Sequence, residues 1–147
     1  SVSAVIMAHT LNWILNGHIF VLMRYVAPVA KTEKQFEQYV EHMKYVVERS
    51  SCIDAVAIYG SYCRGELHKY SDLDARMLTK PGLWNGFCGA LITLRLRFTA
   101  FFKAFPLDIY CYRNMQFMST LSESERPVII LDRSSRLQNA YNTDVGA

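Results

Sequence analysis

The sequence predicts a small α/β (α+β) domain, a mixed sheet of about four strands flanked by helices. Short apolar runs bounded by turn residues alternate with longer stretches of helical periodicity. The 147 residues are enough for a single domain with a buried core. The composition, 51% hydrophobic and 20% charged, is that of a globular protein and not of a disordered chain. A sheet covered by helices is the architecture that this alternation favours.

The first third of the chain predicts helices. Residues 3–15 have the composition of a helix, and a second apolar element at 18–26, which fits either a helix or a strand, ends at Pro28. The clearest helix begins after Thr32, which has capping-box spacing with Gln35. Its apolar side chains recur at i, i+3, i+4 and i+7 and predict one buried stripe: Phe36, Tyr39, Val40, Met43, Val46 and Val47.

Strands and one long helix follow. The run "IDAVAIYG" predicts a buried strand that closes at Gly60, and residues 73–79 predict a second strand. A helix at 83–105 ends before Pro106, and we expect its inward face to consist of Phe87, Leu91, Leu94, Phe98, Phe101 and Phe102. The runs "LDIYCY" and "PVIIL" predict the third and fourth strands. The polar tail, residues 133–147, is expected to be ordered only if it docks.

The N-terminal extension, residues 1–31, is strongly apolar. Polar residues such as His9, Asn12 and Arg24 interrupt it, so that no apolar run reaches the roughly 18–20 residues that span a bilayer. We therefore predict no transmembrane segment. Three interpretations stay open: buried core, a contact with a second copy or a protein partner, or a position at a membrane surface.

Charge and cysteine content exclude several classes of function. The net charge of +3, without a block of consecutive Lys or Arg, permits an anionic ligand but does not favour a nucleic-acid surface. The four cysteines are scattered and form no CxxC pair, so neither a zinc site nor a disulfide framework is indicated. Reduced thiols in a cytoplasmic protein are the simplest interpretation.

The stretch "YGSYCRGELHKYSDLDARML", residues 59–78, carries the chemistry. Asp72 and Asp74 are two residues apart in a predicted strand, so their carboxylates project from one face and repel each other. A divalent cation such as Mg²⁺ removes that cost. The Gly60-Ser61 turn offers backbone N–H groups and a hydroxyl to a phosphate, and Arg64 can bind further phosphate oxygens. Together these residues predict a site for a nucleoside triphosphate with Mg²⁺, or with Mn²⁺ in its place.

A third carboxylate is expected on a neighbouring strand. Asp108 opens "LDIYCY", directly after the long helix, where a strand adjacent to the Asp72/Asp74 strand is predicted. In two-metal phosphoryl transfer one ion lowers the pKa of the attacking hydroxyl and the other stabilises the departing pyrophosphate. Asp108 would complete the metal site and is also a candidate general base.

At these residues the sequence resembles a known family. "GSYCRGELHKYSDLD" is similar to the Gly-Ser…Asp-x-Asp signature of the DNA polymerase β-like nucleotidyltransferases, above all their small members of the minimal nucleotidyltransferase (MNT) type. The resemblance covers about residues 53–112. It implies a nucleotidyltransferase-like fold and transfer of a nucleoside monophosphate from an NTP to a hydroxyl acceptor. It also implies Gly60 and Ser61 as the phosphate-binding turn, and it implies that Asp72, Asp74 and Asp108 are the catalytic metal ligands.

Three arginines leave alternatives open. Arg76 would share a face with Asp74, where it binds phosphate or acceptor, or pairs with Asp74 and weakens metal binding. Arg95 and Arg97 form the solvent-exposed face of the long helix or line an acceptor groove. Two functions also remain: an active nucleotidyltransferase acting on a small-molecule, sugar or protein hydroxyl, and an MNT-type antitoxin or regulatory module that binds a protein partner.

Overall fold

The computed structural model describes residues 2–15, 30–68, 71–117 and 126–142. The predicted element at 18–26 lies outside these ranges. Four helices and four strands occur in the described ranges, in this order: α1 (Val2–Leu15), α2 (Glu33–Glu48), β1 (Ile53–Tyr59), β2 (Leu73–Thr79), α3 (Leu83–Phe102), β3 (Leu107–Tyr112), β4 (Val128–Asp132) and α4 (Arg136–Asn142). One-turn 3₁₀ helices follow β1 and β3, at Gly60–Tyr62 and Met115–Phe117.

The strands form one mixed sheet in the order β3-β2-β1-β4. Strand β1 is antiparallel to both β2 and β4, whereas β2 and β3 are parallel. Parallel neighbours need a long crossover, which the 20 residues of α3 supply. The predicted fold class, a four-stranded mixed sheet flanked by helices, is confirmed.

Helix α2 has the predicted boundaries and face. The backbone N–H of Thr32 donates to Oε1 of Gln35 over 2.9 Å, which is half of the predicted capping box. All six side chains of the predicted stripe are buried. The ring of Tyr39 stacks on Phe105 at a centroid distance of 4.2 Å, and its hydroxyl donates to the carbonyl oxygen of Leu96 over 2.7 Å. Helix α2 is thereby fixed to α3 and to the sheet.

Helix α3 turns a different face to the sheet from the one predicted. Its buried residues are Gly89, Ile92, Leu96 and Ala100. Of the six side chains expected inside, Leu94 is half-buried and the other five are exposed: Phe87, Leu91, Phe98, Phe101 and Phe102. The reason is the close approach of α3 to the sheet, because a Cβ at Gly89 would overlap the Thr79 side chain and lie 3.0 Å from Sγ of Cys111. Small residues fit that gap and phenylalanines do not.

The predicted polar tail forms a helix, α4, at residues 136–142. The Asp132 carboxylate accepts the backbone N–H groups of Arg136 and Gln138 over 3.1 and 3.0 Å, so it caps the first turn. Leu137 is fully buried against β1 and β2, and the Tyr141 hydroxyl lies 3.0 Å from that of Tyr59. The described part of the tail therefore docks on the sheet, which was the condition for its order. Residues 143–147 lie outside the described ranges.

Helix α1 contacts α3 but is not part of the core. Every described side chain of α1, Val2 to Trp13, is exposed. The buried-core interpretation is therefore wrong for these residues. None of the helices in the described ranges has both the length and the apolar character that crossing a bilayer requires.

Candidate active site

The site is built at the end of β1, where the chain turns sharply. Gly60 has φ +74°, a left-handed conformation that favours glycine. A Cβ at this position would also overlap Oδ2 of Asp74. Gly60 is therefore required both for the turn and for the close approach of the Asp74 carboxylate. The predicted turn and the Asp-x-Asp strand do come together.

The parallel register of β2 and β3 places Asp74 directly beside Asp108. Neighbours in register on parallel strands, which lie roughly 4.8 Å apart, project from the same face of the sheet. The alternate residues of these strands, such as Ala75 and Ile109, are buried beneath α2 and α3. Asp74 and Asp108 therefore project from the other face of the sheet, and both are half-buried.

Asp72 precedes β2 and is exposed. The pKa of Asp108 is raised, chiefly because burial penalises its charged form and further because Asp72 is negative. A hydrogen bond with Tyr110 and the charges of Arg97 and Arg76 oppose that rise in pKa. The negative charge of Asp72 thus acts on Asp108. The carboxylates of Asp72, Asp74 and Asp108 therefore lie in one region of the sheet.

Arg76 lies on the same face and contacts tyrosines. Its Nη1 donates to the hydroxyl of Tyr112 over 3.3 Å. Its guanidinium carbon is 5.6 Å from the ring centroid of Tyr59 and 5.8 Å from that of Tyr112. Both distances are within cation–π range, so the two rings hold Arg76 at the edge of the site. The sequence did not single out Tyr59, because a tyrosine at the end of a buried strand carries no functional signal.

Arg97 does not lie on the solvent-exposed face of α3, which was one of the two interpretations that the sequence left open. It is half-buried, and its Nη2 donates to the carbonyl oxygen of Ile109 over 2.7 Å. Its charge lowers the pKa of the neighbouring Asp108. Arg95, in contrast, is exposed. The difference depends on how α3 packs, which periodicity does not reveal.

The remaining predicted residues lie in the turn after β1. Ser61 is half-buried in the 3₁₀ turn, whose three residues are too few for a helix dipole to act on an anion. Arg64 is exposed, and its Nε donates to Oε2 of Glu66 over 2.8 Å. The structure therefore brings Gly60, Asp74 and Asp108 together, with Asp72 nearby. The nucleotide-binding role of Ser61 and Arg64 stays a prediction.

The carboxylates are the kind of ligand that a hard divalent cation prefers. All the candidate ligands are carboxylate oxygens, the donors that Mg²⁺ and Mn²⁺ prefer. Two of them are adjacent in register, and Asp72 adds a third negative charge to the same region. Within the described ranges, no three His, Cys, Asp or Glu side chains are already gathered at metal-binding distance. In the described ranges the site thus has carboxylates of the kind that bind a metal ion, but not gathered around one point.

Comparison with solved structures returned distant likenesses. A toxin–antitoxin crystallised with AMP-PNP is 13% identical, with a TM-score of 0.48 over 74% of this chain and 83% of that chain. A mutant of the toxin–antitoxin MntA-HpeT is 12% identical, with a TM-score of 0.48 over 73% of this chain and 83% of that chain. No curated protein matches the chain.

A family match covers the region of the site. Residues 40–104 match the family described as Nucleotidyltransferase domain. The matched region runs from α2 to the end of α3 and includes Gly60, Ser61, Arg64, Asp72 and Asp74, while Asp108 lies four residues beyond it. Over these residues the chain is similar to nucleotidyltransferase domains, in agreement with the resemblance that its sequence signature carries.

Proposed function

We propose that the protein transfers a nucleoside monophosphate from an NTP to a hydroxyl of a small-molecule, sugar or protein acceptor, and releases pyrophosphate. The observation that carries this proposal is the register of Asp74 with Asp108 on one sheet face, beside the turn at Gly60. Carboxylates on neighbouring strands next to an open glycine turn meet the needs of a triphosphate with its metal.

Asp72, Asp74 and Asp108 would hold the divalent cations, Mg²⁺ or Mn²⁺. When bound, such ions lower the pKa of the attacking hydroxyl and stabilise the triphosphate and the departing pyrophosphate. The raised pKa of Asp108 supports this assignment, because it reflects burial and a negative neighbour that a cation would compensate.

Phosphate binding and proton transfer are assigned to groups of the protein. The Gly60-Ser61 turn binds phosphate oxygens through backbone N–H groups and the serine hydroxyl. The acceptor oxygen forms a bond to the α-phosphorus as the bond from that phosphorus to the bridging β-phosphate oxygen breaks, and Asp108 takes the hydroxyl proton.

Two arginines complete the proposed site. Arg76, held between Tyr59 and Tyr112, is placed to bind phosphate or acceptor. Arg64 would have to leave Glu66, and an exposed pair of this kind contributes only about 0–1 kcal/mol. Exchange of Glu66 for a phosphate is therefore energetically accessible.

Thermal-shift titration tests the proposal. The folded protein is titrated with ATP, GTP, CTP and UTP, each with and without Mg²⁺ or Mn²⁺. We expect a rise in Tm that needs both nucleotide and metal, and its loss in Asp74→Asn. Glu48→Gln, which removes an exposed carboxylate of α2, is the matched control and should behave as the unmodified protein.

The alternative function is an MNT-type antitoxin or regulatory module that binds a protein partner with weak or no catalysis. In the described ranges the carboxylates are not gathered into a closed metal cluster, and this observation favours the module. The two functions differ in the same titration. A folded protein whose Tm responds to no nucleotide, with or without metal, would exclude the enzyme and favour the module.

A further inference from the structure

The side of the protein opposite the carboxylates is unusually apolar. The outer side of α3 exposes a stripe at helical spacing that includes Trp84, Leu91, Phe98 and Phe102, and Trp84 and Phe102 are 78% and 80% exposed. Aromatic pairs lie near both ends of the helix, Trp84 with Phe87 and Phe98 with Phe102.

Helix α1 extends this region, because it contacts α3 and exposes its own apolar side chains. The large exposed apolar side chains of α1 are Val2, Val5, Ile6, Met7, Leu11 and Trp13. The exposed sides of α1 and α3 together are called the α1–α3 surface. An apolar area of this kind marks a site of interaction with a partner or a membrane.

The charged residues of α1, α3 and the residues that flank α3 have one sign. Residues 80–107 contain four basic residues and no Asp or Glu, and α1 contains no charged residue. Arg95 lies on the same stripe of α3 as Leu91 and Phe98 and is exposed. Lys103 follows α3, and its carbonyl oxygen accepts a hydrogen bond from Nζ of Lys31 over 3.0 Å. The surface therefore combines aromatic and basic side chains without acidic ones.

We propose that the α1–α3 surface docks on a lipid bilayer that contains anionic headgroups. Exposed Trp, Phe and Leu beside Lys and Arg are the side chains with which proteins bind such an interface, and the absence of carboxylates removes the repulsion that headgroups would otherwise exert. Arg95 and Lys103 can reach the headgroups while the aromatic rings enter the acyl boundary.

A second copy of this chain fits the surface less well. In a two-fold dimer each patch meets its own copy, so Arg95 and Lys103 would meet a surface whose charged residues are again basic. Residues 80–107 and α1 offer no carboxylate with which to pair them. Charge complementarity thus favours an anionic bilayer over self-association.

Vesicle flotation and fluorescence test the proposal with the purified full chain. Both tryptophans of the protein, Trp13 and Trp84, belong to the surface, so their emission reports directly on its environment. We expect flotation and a blue shift with vesicles of phosphatidylcholine and phosphatidylglycerol. Phosphatidylcholine alone should bind at least about fivefold more weakly, since basic residues near a charged bilayer contribute roughly that factor each.

Variants locate the binding surface. Trp84→Ser with Phe102→Ser should abolish flotation, and Arg95→Gln with Lys103→Gln should reduce it to the level of phosphatidylcholine alone. Tyr45→Ser and Arg126→Gln remove an exposed aromatic and an exposed basic residue elsewhere and should change nothing. Circular dichroism verifies that each variant is folded.

Three outcomes would overturn the proposal. The first is a folded protein that binds no anionic vesicle. The second is binding that persists in both double variants, which would place the contact elsewhere. The third is a dimer, detected by light scattering, that Trp84→Ser with Phe102→Ser dissociates while no vesicle is bound; the surface would then be a contact between copies.

Discussion

Helices α2 and α3 both pack against the same face of the sheet, yet the sequence identifies the buried side of only one of them. In α2 the positions outside the apolar stripe are mostly charged or polar, so the periodicity of the apolar residues identifies one buried face. Helix α3 is apolar on nearly all sides, and its small residues, not its large ones, face the sheet. Apolar periodicity therefore locates a core face only when the opposite face is polar.

The largest expected effect belongs to the buried stripe of α2. Phe36 is fully buried and packs edge-on against Phe105 at a centroid distance of 5.1 Å. Phe36→Ala should lower the free energy of unfolding by about 3–5 kcal/mol, because it removes buried area and leaves a cavity. Urea unfolding followed by circular dichroism measures it. Gln38→Ala, at an exposed position of α2, is the control, and equal effects of the two would contradict the assigned face.

The second effect concerns the close contact of α3 with the sheet. Gly89→Ala should cost about 1–3 kcal/mol, because its Cβ meets Thr79 and Cys111 in a packed interior. Gly86→Ala in the same helix is the matched control. Its Cβ would lie 3.3 Å from the Arg113 side chain, which is flexible, so this change should be neutral or stabilise by up to about 1 kcal/mol. A Gly89→Ala variant as stable as the parent protein would show that α3 sits farther from the sheet.

The third effect concerns the polar link between the two helices. Tyr39→Phe should cost about 1 kcal/mol at pH 7, because it removes the hydrogen bond that the Tyr39 hydroxyl donates to the Leu96 carbonyl oxygen. Burial raises the pKa of Tyr39 to about 12, so the folded state holds the neutral hydroxyl while the unfolded state ionises above pH 10. The stability of the parent protein should therefore fall relative to Tyr39→Phe as the pH rises from 10 to 12. Parallel curves for the two proteins over that range would contradict this role.

The smallest effect is expected on the outer side of α3. Phe102→Ala should change the free energy of unfolding by no more than about 0.5 kcal/mol, because the side chain is mostly exposed. A loss comparable to that of Phe36→Ala would mean that the ring is buried in solution, by α1 or by another molecule. Equilibrium unfolding over a range of protein concentrations separates these two cases.

Much of the fold could be predicted from local patterns. The boundaries of β2 and β3 match the prediction, since apolar runs closed by turn residues define a strand. Helix α4 was not predicted, and order in its segment was expected only on docking, because Leu137 is an isolated apolar residue in a polar segment and its burial depends on the sheet that it meets. The sheet-facing side of α3 depends likewise on its distance from the sheet.

In the candidate site, too, some features follow from local sequence patterns and others depend on the fold. Asp72, Asp74 and the turn at Gly60 are close in sequence, and strand alternation was enough to relate them. That Asp108 lies on a strand beside that of Asp74 was expected from the order of elements, but the register of the two residues is set by packing across α3. Arg97 and Tyr59 carry no signal in the sequence, because their roles arise from contacts with residues on other elements.

The crossover through α3 has a consequence for how the site is held together. The chain that leaves the Asp74 strand returns to the Asp108 strand only after passing along this helix, whose outer side faces away from both. A cut in the polypeptide within α3 would therefore leave Asp74 and Asp108 on separate fragments, which only the hydrogen bonds of the sheet and the packing around it would hold together.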